Sequence, residues 1–175
     1  MKARVILSAA GSDRPGLTQA LAQAVLDAGG NWLESHLSRL GGKYVGAVLV
    51  ELDFDGLSAF EKAILAVDSV GLQVSLVPAG EEPQNSGETL QLELVGQDRP
   101  GIVREVTGVL AGLGVNIEEL DTGTERTAWS GDPLFRAQAR LSIPAGVTSD
   151  EVQAALEAIS GEIMVDFTFT AAPGH

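Results

Sequence analysis

The sequence predicts an α+β protein made of two ferredoxin-like βαββαβ domains in tandem, each an antiparallel four-stranded sheet with its helices on one face. Two observations carry this prediction. The segment SDRPGL at residues 12–17 returns 85 positions later as QDRPGI at residues 97–102, and its flanks repeat with it. In both copies, strand-like and helical stretches follow one another as β-α-β-β-α-β, the split βαβ order. A repeat of this length in 175 residues indicates two copies of one small domain.

The first copy begins with a strand over residues 3–10 and a helix over 15–28, whose apolar residues recur at helical spacing. Pro15 is expected in the first turn of that helix, because backbone N–H groups there have no acceptor within the helix and proline lacks an N–H. Asp13 is expected to accept from the free N–H groups of the same turn. Two strands follow over residues 32–40 and 44–52, and a Gly-Gly turn joins them. A second helix over residues 57–70 and a last strand over residues 72–77 complete the copy.

The second copy follows a polar segment of linker composition. It begins with a strand over residues 89–95 and a helix whose apolar positions match those of the first copy at the 85-residue offset: Ile102, Val106, Val109, Leu110 and Leu113. A strand over 136–143, a second helix over 150–159 with Thr148 and Ser149 as capping candidates, and a last strand over 163–170 follow. The predicted limits are a first domain over 1–79, a linker over 80–88 and a second domain over 89–171.

The two copies differ between their second and third strands. The tight turn of the first copy is replaced in the second by a polar loop over residues 121–133, which contains Trp129. An indole on such a loop either folds back onto its own domain or covers a partner or ligand site.

Composition limits the classes of function. The chain has 24 acidic and 11 basic residues, a net charge of −13, and its basic residues are scattered singly. A DNA-binding protein needs a clustered basic face, so control of a gene would act through another protein. There is no cysteine, which excludes disulfides and thiolate metal sites and agrees with a reducing cytosol. The apolar start is too short for a signal peptide, and no run approaches a membrane span, so we expect a cytoplasmic protein without a membrane partner.

The duplicated Asp-Arg-Pro-Gly turn is the best candidate for a binding site. Each copy places backbone N–H groups at a helix N-terminus, which favours an anion, and its glycine lets a ligand approach the backbone. The aspartate can accept from an ammonium group and the arginine can pair with a carboxylate, the two groups of an amino acid. The alternative is that these turns only begin helices. The candidate residues are Asp13, Arg14 and Gly16 in the first copy, and Asp98, Arg99 and Gly101 in the second.

Asn31 and Asn116 follow the glycines that end the first helix of each copy. They either tolerate a left-handed or turn conformation there or hydrogen-bond a ligand across a domain contact. Catalytic patterns are absent: His36 stands in a predicted strand without a metal-ligand cluster, and there is no nucleophile elbow or phosphate-binding loop. The chain is therefore predicted not to be an enzyme and to hold no metal.

A βαββαβ unit with Asp-Arg-Pro-Gly after its first strand and Gly-x-Asn before its second resembles the ACT domain. The tandem arrangement and the segment SGDPLF at residues 130–135 resemble the glycine cleavage system transcriptional repressor family. This resemblance implies a small amino acid, glycine first, as effector, no other cofactor, and repression exerted on a LysR-type activator without DNA binding by the chain itself. Carried over onto this sequence, it adds Leu17 with Asn31, and Ile102 with Asn116, to the two ligand sets, and it implies sites between paired domains.

Two other functions stay open at this stage. The chain could be a regulatory subunit that acts in trans on a metabolic enzyme, or an interaction module that binds no ligand. In each case we expect association, because a sheet with helices on one face leaves its other face or its edges to be covered. Pairing of the two sheets, within the chain or in a homo-oligomer, is the expected form.

Overall fold

The computed structural model describes residues 1–68, 71–81, 88–126, 133–159 and 164–169. The chain divides into two compact units, Met1–Glu82 and Pro83–His175, named unit 1 and unit 2 below. The predicted domain limits stay a prediction, since residues 82–87 of the predicted linker lie outside the described residues. Within the described part, no helix is both long enough and apolar enough to cross a membrane.

Unit 1 has the predicted order of elements. They are β1 (Lys2–Ser12), α1 (Leu17–Asp27), β2 (Asn31–Leu40), β3 (Lys43–Asp53), a 3-10 turn (Phe54–Gly56), α2 (Leu57–Asp68) and β4 (Leu72–Pro78). The sheet is antiparallel in the order β2-β3-β1-β4. Alternate residues of β1, including Val5 and Leu7, are buried beneath the helices, as expected for a strand with one covered face. Phe60, on α2, is fully buried in the same core.

Unit 2 repeats this architecture. Its elements are β5 (Glu88–Gln97), α3 (Ile102–Gly112), β6 (Asn116–Arg126), β7 (Pro133–Ile143), α4 (Ser149–Glu157) and β8 (Met164–Phe169). The sheet order is β6-β7-β5-β8, and the core lies between the sheet and the two helices and includes Leu94, Leu110 and Leu141. The predicted fold class is therefore confirmed in both units.

The loop predicted over residues 121–133 is shorter in the structure. β6 continues to Arg126 and pairs with β7 from Pro133 onward, so both ends of the predicted loop are strand. A polar sequence is compatible with an edge strand because its side chains can stay in water while its backbone is paired on one side. Trp129 lies outside the described residues, so both interpretations of its role remain predictions.

The start of α4 carries a capping box. The Thr148 hydroxyl accepts from the backbone N–H of Glu151 at 3.2 Å, and the Glu151 carboxylate accepts from the backbone N–H of Thr148 at 2.8 Å. The backbone hydrogen bond from Thr148 is the main cause that lowers the pKa of Glu151. Thr148 was one of the two predicted capping residues, and the structure assigns the cap to it.

We expect Thr148→Ala to lower the free energy of unfolding by about 1 kcal/mol, the usual loss for an N-cap threonine. Glu151→Ala should also destabilise the protein at neutral pH and less so in acid. Because the folded-state pKa is lowered, the charged carboxylate stabilises α4 above the pKa of the unfolded state, and this contribution is lost as the pH falls through the folded-state pKa. Urea unfolding at neutral and acid pH measures both effects, with Ser149→Ala as control. Equal losses for Thr148→Ala and Ser149→Ala would contradict the assignment.

Candidate functional site

The Asp-Arg-Pro-Gly segments connect β1 to α1 and β5 to α3 by the same turn. Gly16 has φ 90° and ψ −2°, and Gly101 has φ 91° and ψ −4°. These are the angles of the third residue of a type II turn, whose second residue is typically proline. In unit 2 the N–H of Ile102 donates to the carbonyl of Arg99 at 3.3 Å and closes the turn.

The helices consequently begin after the glycine, so the prediction that Pro15 lies in the first helical turn is wrong. The Pro-Gly pair forms the turn, and Gly16 and Gly101 become the N-cap residues. Their carbonyls accept the first helical hydrogen bonds, from the N–H groups of Ala20 at 2.9 Å and Glu105 at 3.0 Å. Neither helix has a side-chain cap, so the prediction that Asp13 caps α1 is also wrong.

Asp13 instead forms an ion pair with Arg39. Its Oδ2 lies 3.2 Å from Nε of Arg39, near the end of β2, and a third of the Asp13 side chain remains exposed. Asp98, its counterpart in unit 2, is half-buried, and its backbone N–H donates to the carbonyl of Pro133 at 3.0 Å. The two aspartates therefore have different surroundings although their turns are alike.

Arg99 binds a carboxylate in the structure, and that carboxylate belongs to the same unit. Its Nη1 donates to Oε1 of Glu105 at 2.9 Å, and its Nη2 donates to Oε2 of the same residue. This is the bidentate arrangement in which arginine binds carboxylates most strongly. The hydrogen bond from Arg99 is the main cause that lowers the pKa of Glu105. The residue at the corresponding position of unit 1, 85 positions earlier, is Ala20.

Further polar contacts surround the turn of unit 1. Nζ of Lys43, at the start of β3, donates to Oγ of Ser12 at 3.3 Å, and the Thr18 hydroxyl lies 2.9 Å from the Tyr44 hydroxyl. A surface depression adjoins the turn on this side of the sheet. It is lined by Ala10, Gly11, Ser12, Lys43, Val45, Gly71 and Gln73.

Leu17 and Ile102 are the first residues of α1 and α3. Each residue is 4% exposed and belongs to the core of its unit. The N–H of Ile102 is already taken up by the turn. Any contact of these two residues with a ligand would therefore have to come from main-chain atoms.

Asn31 and Asn116 lie at the other end of the sheet from the turn of their own unit. Asn31 pairs with Glu51, which pairs with Arg4, whereas the turn follows Ser12. Arg4 and Ser12 are separated by about 26 Å along β1, at 3.3 Å per residue. Asn116 has the same place in unit 2, opposite Ser142. Within one unit, then, the structure does not bring the asparagines to the turn, and a role in the same site requires a contact with another domain.

The left-handed conformation considered for the asparagines is taken by glycine instead. Gly29 and Gly114, two residues earlier, have φ of 68° and 72°. No residue other than glycine has a positive φ in the part of the chain that the structure describes. Asn31 and Asn116 are the first residues of β2 and β6.

Sequence reasoning missed three charged side chains at these turns: Glu105, Arg39 and Lys43. Glu105 could have been found by aligning the two copies at the 85-residue offset, because the position is glutamate in the second copy and alanine in the first. Arg39 and Lys43 flank the Gly41-Gly42 turn, and antiparallel pairing of β1 with β3 brings that turn beside Ser12.

The polar groups elsewhere in the described part of the chain do not assemble into a metal site. Nε2 of His36 lies 3.1 Å from Oε1 of Glu34 on the exposed edge strand β2. Among the residues that the structure describes, no three His, Cys, Asp or Glu side chains are grouped so that they could hold a metal ion. The side chains at the turns can form ion pairs and hydrogen bonds.

Comparison with known proteins agrees with this architecture. Residues 3–76 and residues 90–143 each match the ACT domain family. The crystal structure of an unknown protein from Galdieria sulphuraria is similar at 31% identity and a TM-score of 0.79, over 98% of this chain and 100% of that one. A structure described as that of a proposed glycine cleavage system transcriptional repressor is similar at 15% identity and a TM-score of 0.71, over 97% of this chain and 99% of that one. No curated protein sequence matches the chain.

Proposed function

This chain belongs to the ACT domain family, with one domain in each unit, and from that premise we propose that it is a non-catalytic regulator that senses a small amino acid. The effector we propose is glycine, bound at an Asp-Arg-Pro-Gly turn without any other cofactor. The response passes to a partner protein, which we propose is a LysR-type activator of glycine cleavage genes. The site of action would be the cytoplasm, and the active form a homo-oligomer.

The observation that carries this proposal is the bound carboxylate at Arg99. In unit 2 the arginine of the turn holds the Glu105 carboxylate by two parallel hydrogen bonds. Unit 1 has the same turn angles and the same arginine in sequence. An α-amino acid offers a carboxylate for the arginine and an ammonium group for the aspartate, so its two charges match the two charged side chains of the motif.

The charge of the chain supports regulation through a partner protein. Contact with nucleic acid phosphates depends on clustered lysines and arginines, whereas this chain carries a net charge of −13. In the structure two arginines of the unit 2 sheet are paired with acids: Arg136 with Glu93, and Arg140 with Glu118 and Glu119. A basic surface of a transcription factor is the more suitable partner for such a protein.

We expect glycine to bind the full chain saturably, and Arg14→Ala to weaken that binding by about tenfold to a hundredfold. A hydrogen-bonded charged pair contributes about 1.5–3 kcal/mol, and each 1.4 kcal/mol corresponds to about a factor of ten. Isothermal titration with glycine, then serine and alanine, measures the effect. Arg4→Ala is the matched control, because Arg4 lies at the other end of β1 and pairs with Glu51.

Each result of this titration has a clear meaning. Equal weakening by Arg14→Ala and Arg4→Ala would move the site away from the turn. Absence of binding to every amino acid tested would contradict an amino-acid sensor and favour an interaction module that binds no ligand. Copurification of a metabolic enzyme in place of a transcription factor would favour a regulatory subunit that acts in trans.

A further inference from the structure

The unit 1 sheet packs against its helices with one face, and we call the opposite face the open face of unit 1. Alternate residues of a strand point to opposite faces. On β1, Leu7 is fully buried in the core, whereas Ile6 and Ser8 on either side of it belong to the open face and are partly exposed. The centre of the open face is formed by three cross-strand pairs of β1 and β3: Ile6–Leu49, Ser8–Ala47 and Ala10–Val45.

This centre is uncharged and largely apolar. None of its six side chains carries a charge, and neither do the β4 residues that pair with the same residues of β1. Val77, the partner of Ile6 on β4, is 48% exposed. An exposed apolar surface with polar residues around it is typical of an interaction site.

The equivalent face of unit 2 shows that the fold does not require an uncharged surface here. Gln91 and Glu93 stand 85 positions after Ile6 and Ser8. Arg140 pairs with Gln91 across the strands, and its guanidinium forms ion pairs with two acids of β6. Charged side chains are therefore compatible with this part of the fold, so their absence from unit 1 has another reason.

A second copy of the chain, presenting the same face, is the partner that this surface fits. Charged residues are depleted at the centres of interfaces, because burial removes their hydration, and both copies meet this condition. The net charge of −13 makes two copies repel each other through their charged surfaces, whereas the uncharged centre adds no repulsion. The side chains of Ser8, Ala10 and Ala47 are small, so two such sheets can stack at the usual distance of about 10 Å. A basic partner protein would find no carboxylate at this centre.

The size of the face predicts a reversible dimer. Neighbouring strands lie about 4.8 Å apart, and successive pairs on one face lie about 6.6 Å apart along them. Four strands and five pairs, the three central ones and one at each end, cover about 600 Å² in each copy. Two stacked copies then bury about 1,200 Å², the lower end of the range for specific interfaces. The rim is polar, as in other interfaces, and contains Arg4 and Glu51 at one end, Ser12 and Lys43 at the other, and Glu34 and His36 on β2.

We propose that the chain dimerises by stacking the open face of unit 1 on the same face of a second copy, and that the equivalent face of unit 2 takes no part in this contact. The inference rests on the homo-oligomer of the proposed function and names its surface. It does not depend on the binding of an amino acid.

Sedimentation velocity of the full chain without any amino acid tests this dimer. Wild type should change from monomer to dimer as its concentration rises through the micromolar range. Ser8→Glu should raise the dissociation constant by about a hundredfold or more, because stacking would bring like charges together. Ile6→Gln should raise it by about tenfold or more, since apolar burial is lost in both copies. Unit 2 carries these same residues at the equivalent positions, so we expect both variants to fold, and circular dichroism checks this.

Two matched controls add a charge elsewhere and should leave the dissociation constant unchanged. Gln91→Glu places it on the equivalent face of unit 2, and Ser58→Glu places it on the exposed side of α2. A wild type that stays monomeric at every concentration would overturn the inference and leave the open face to a different protein. A dimer that Ser8→Glu and Ile6→Gln leave intact, or that Gln91→Glu weakens as much as they do, would also overturn it. Failure of this dimer leaves the glycine titration unaffected, and failure of glycine binding leaves the dimer standing.

Discussion

Replacing Phe60 with alanine should lower the free energy of unfolding of unit 1 by about 3–5 kcal/mol, the usual range for a buried phenylalanine. Phe60 lies on α2 and is fully buried in the core beneath the unit 1 sheet. Removing its ring leaves a cavity that well-packed neighbours fill only in part. A loss of this size is a large part of the stability of a small domain.

Hydrogen exchange with mass spectrometry can assign this loss to one unit. Protection should fall across unit 1 in Phe60→Ala and persist in unit 2. Leu156→Ala is the matched variant, because Leu156 is fully buried on α4 of unit 2, and it should give the reverse pattern. Uniform loss of protection in both units would show that they unfold as one body and would contradict this prediction.

The same variant connects stability with sensing. A ligand that binds only the folded state stabilises it by about 2.7 kcal/mol at a hundred times its dissociation constant. Glycine bound at the unit 1 turn should therefore restore part of the protection that Phe60→Ala loses. The same measurement on Leu156→Ala reports whether the unit 2 turn binds glycine as well.

The order of elements could be predicted because two kinds of signal agree. Strands such as β5 alternate apolar and polar residues, so the covered face is visible in sequence, and each pattern occurs twice in register. The start of α1 could not be fixed in this way. A Pro-Gly pair is compatible both with proline in a first helical turn and with a type II turn, and the left-handed angles of Gly16 decide for the second.

The motif of the candidate site could be predicted from the sequence, but the side chains that contact the motif could not. Sequence comparison identified Arg14 and Arg99 as equivalent, but it did not identify Glu105, one helical turn further along α3, as the carboxylate that Arg99 binds. The place of Asn31 follows from topology: β2 runs parallel to β1, so its first residue lies at the start of β1, away from the turn. The position of Asn31 directly after a helix end in the sequence does not show which end of the sheet it occupies.

Gly46→Ala should destabilise unit 1 by about 3 kcal/mol, because it combines backbone strain with a steric clash, each costing about 1–3 kcal/mol. Gly46 is on β3, opposite Leu37 of β2. Its φ is 154°, and a Cβ there would lie 2.0 Å from the carbonyl oxygen of His36 and 2.8 Å from Cα of Leu37. Both neighbours are backbone, so β2 itself must move away from β3.

Movement of β2 would reach the proposed site, because Arg39 lies two residues beyond Leu37 and holds Asp13. We therefore expect Gly46→Ala to weaken glycine binding as well as to lower the urea midpoint. Gly42→Ala separates the two causes: Gly42 has φ 78° but open space around its Cβ position among the described residues, so strain alone should cost about 1–2 kcal/mol. A lower urea midpoint for Gly46→Ala than for Gly42→Ala, with faster amide exchange in β2, would assign the extra loss of stability to the close approach of β2 to β3 at Gly46. Equal midpoints for the two variants would show that this close approach adds nothing to the loss.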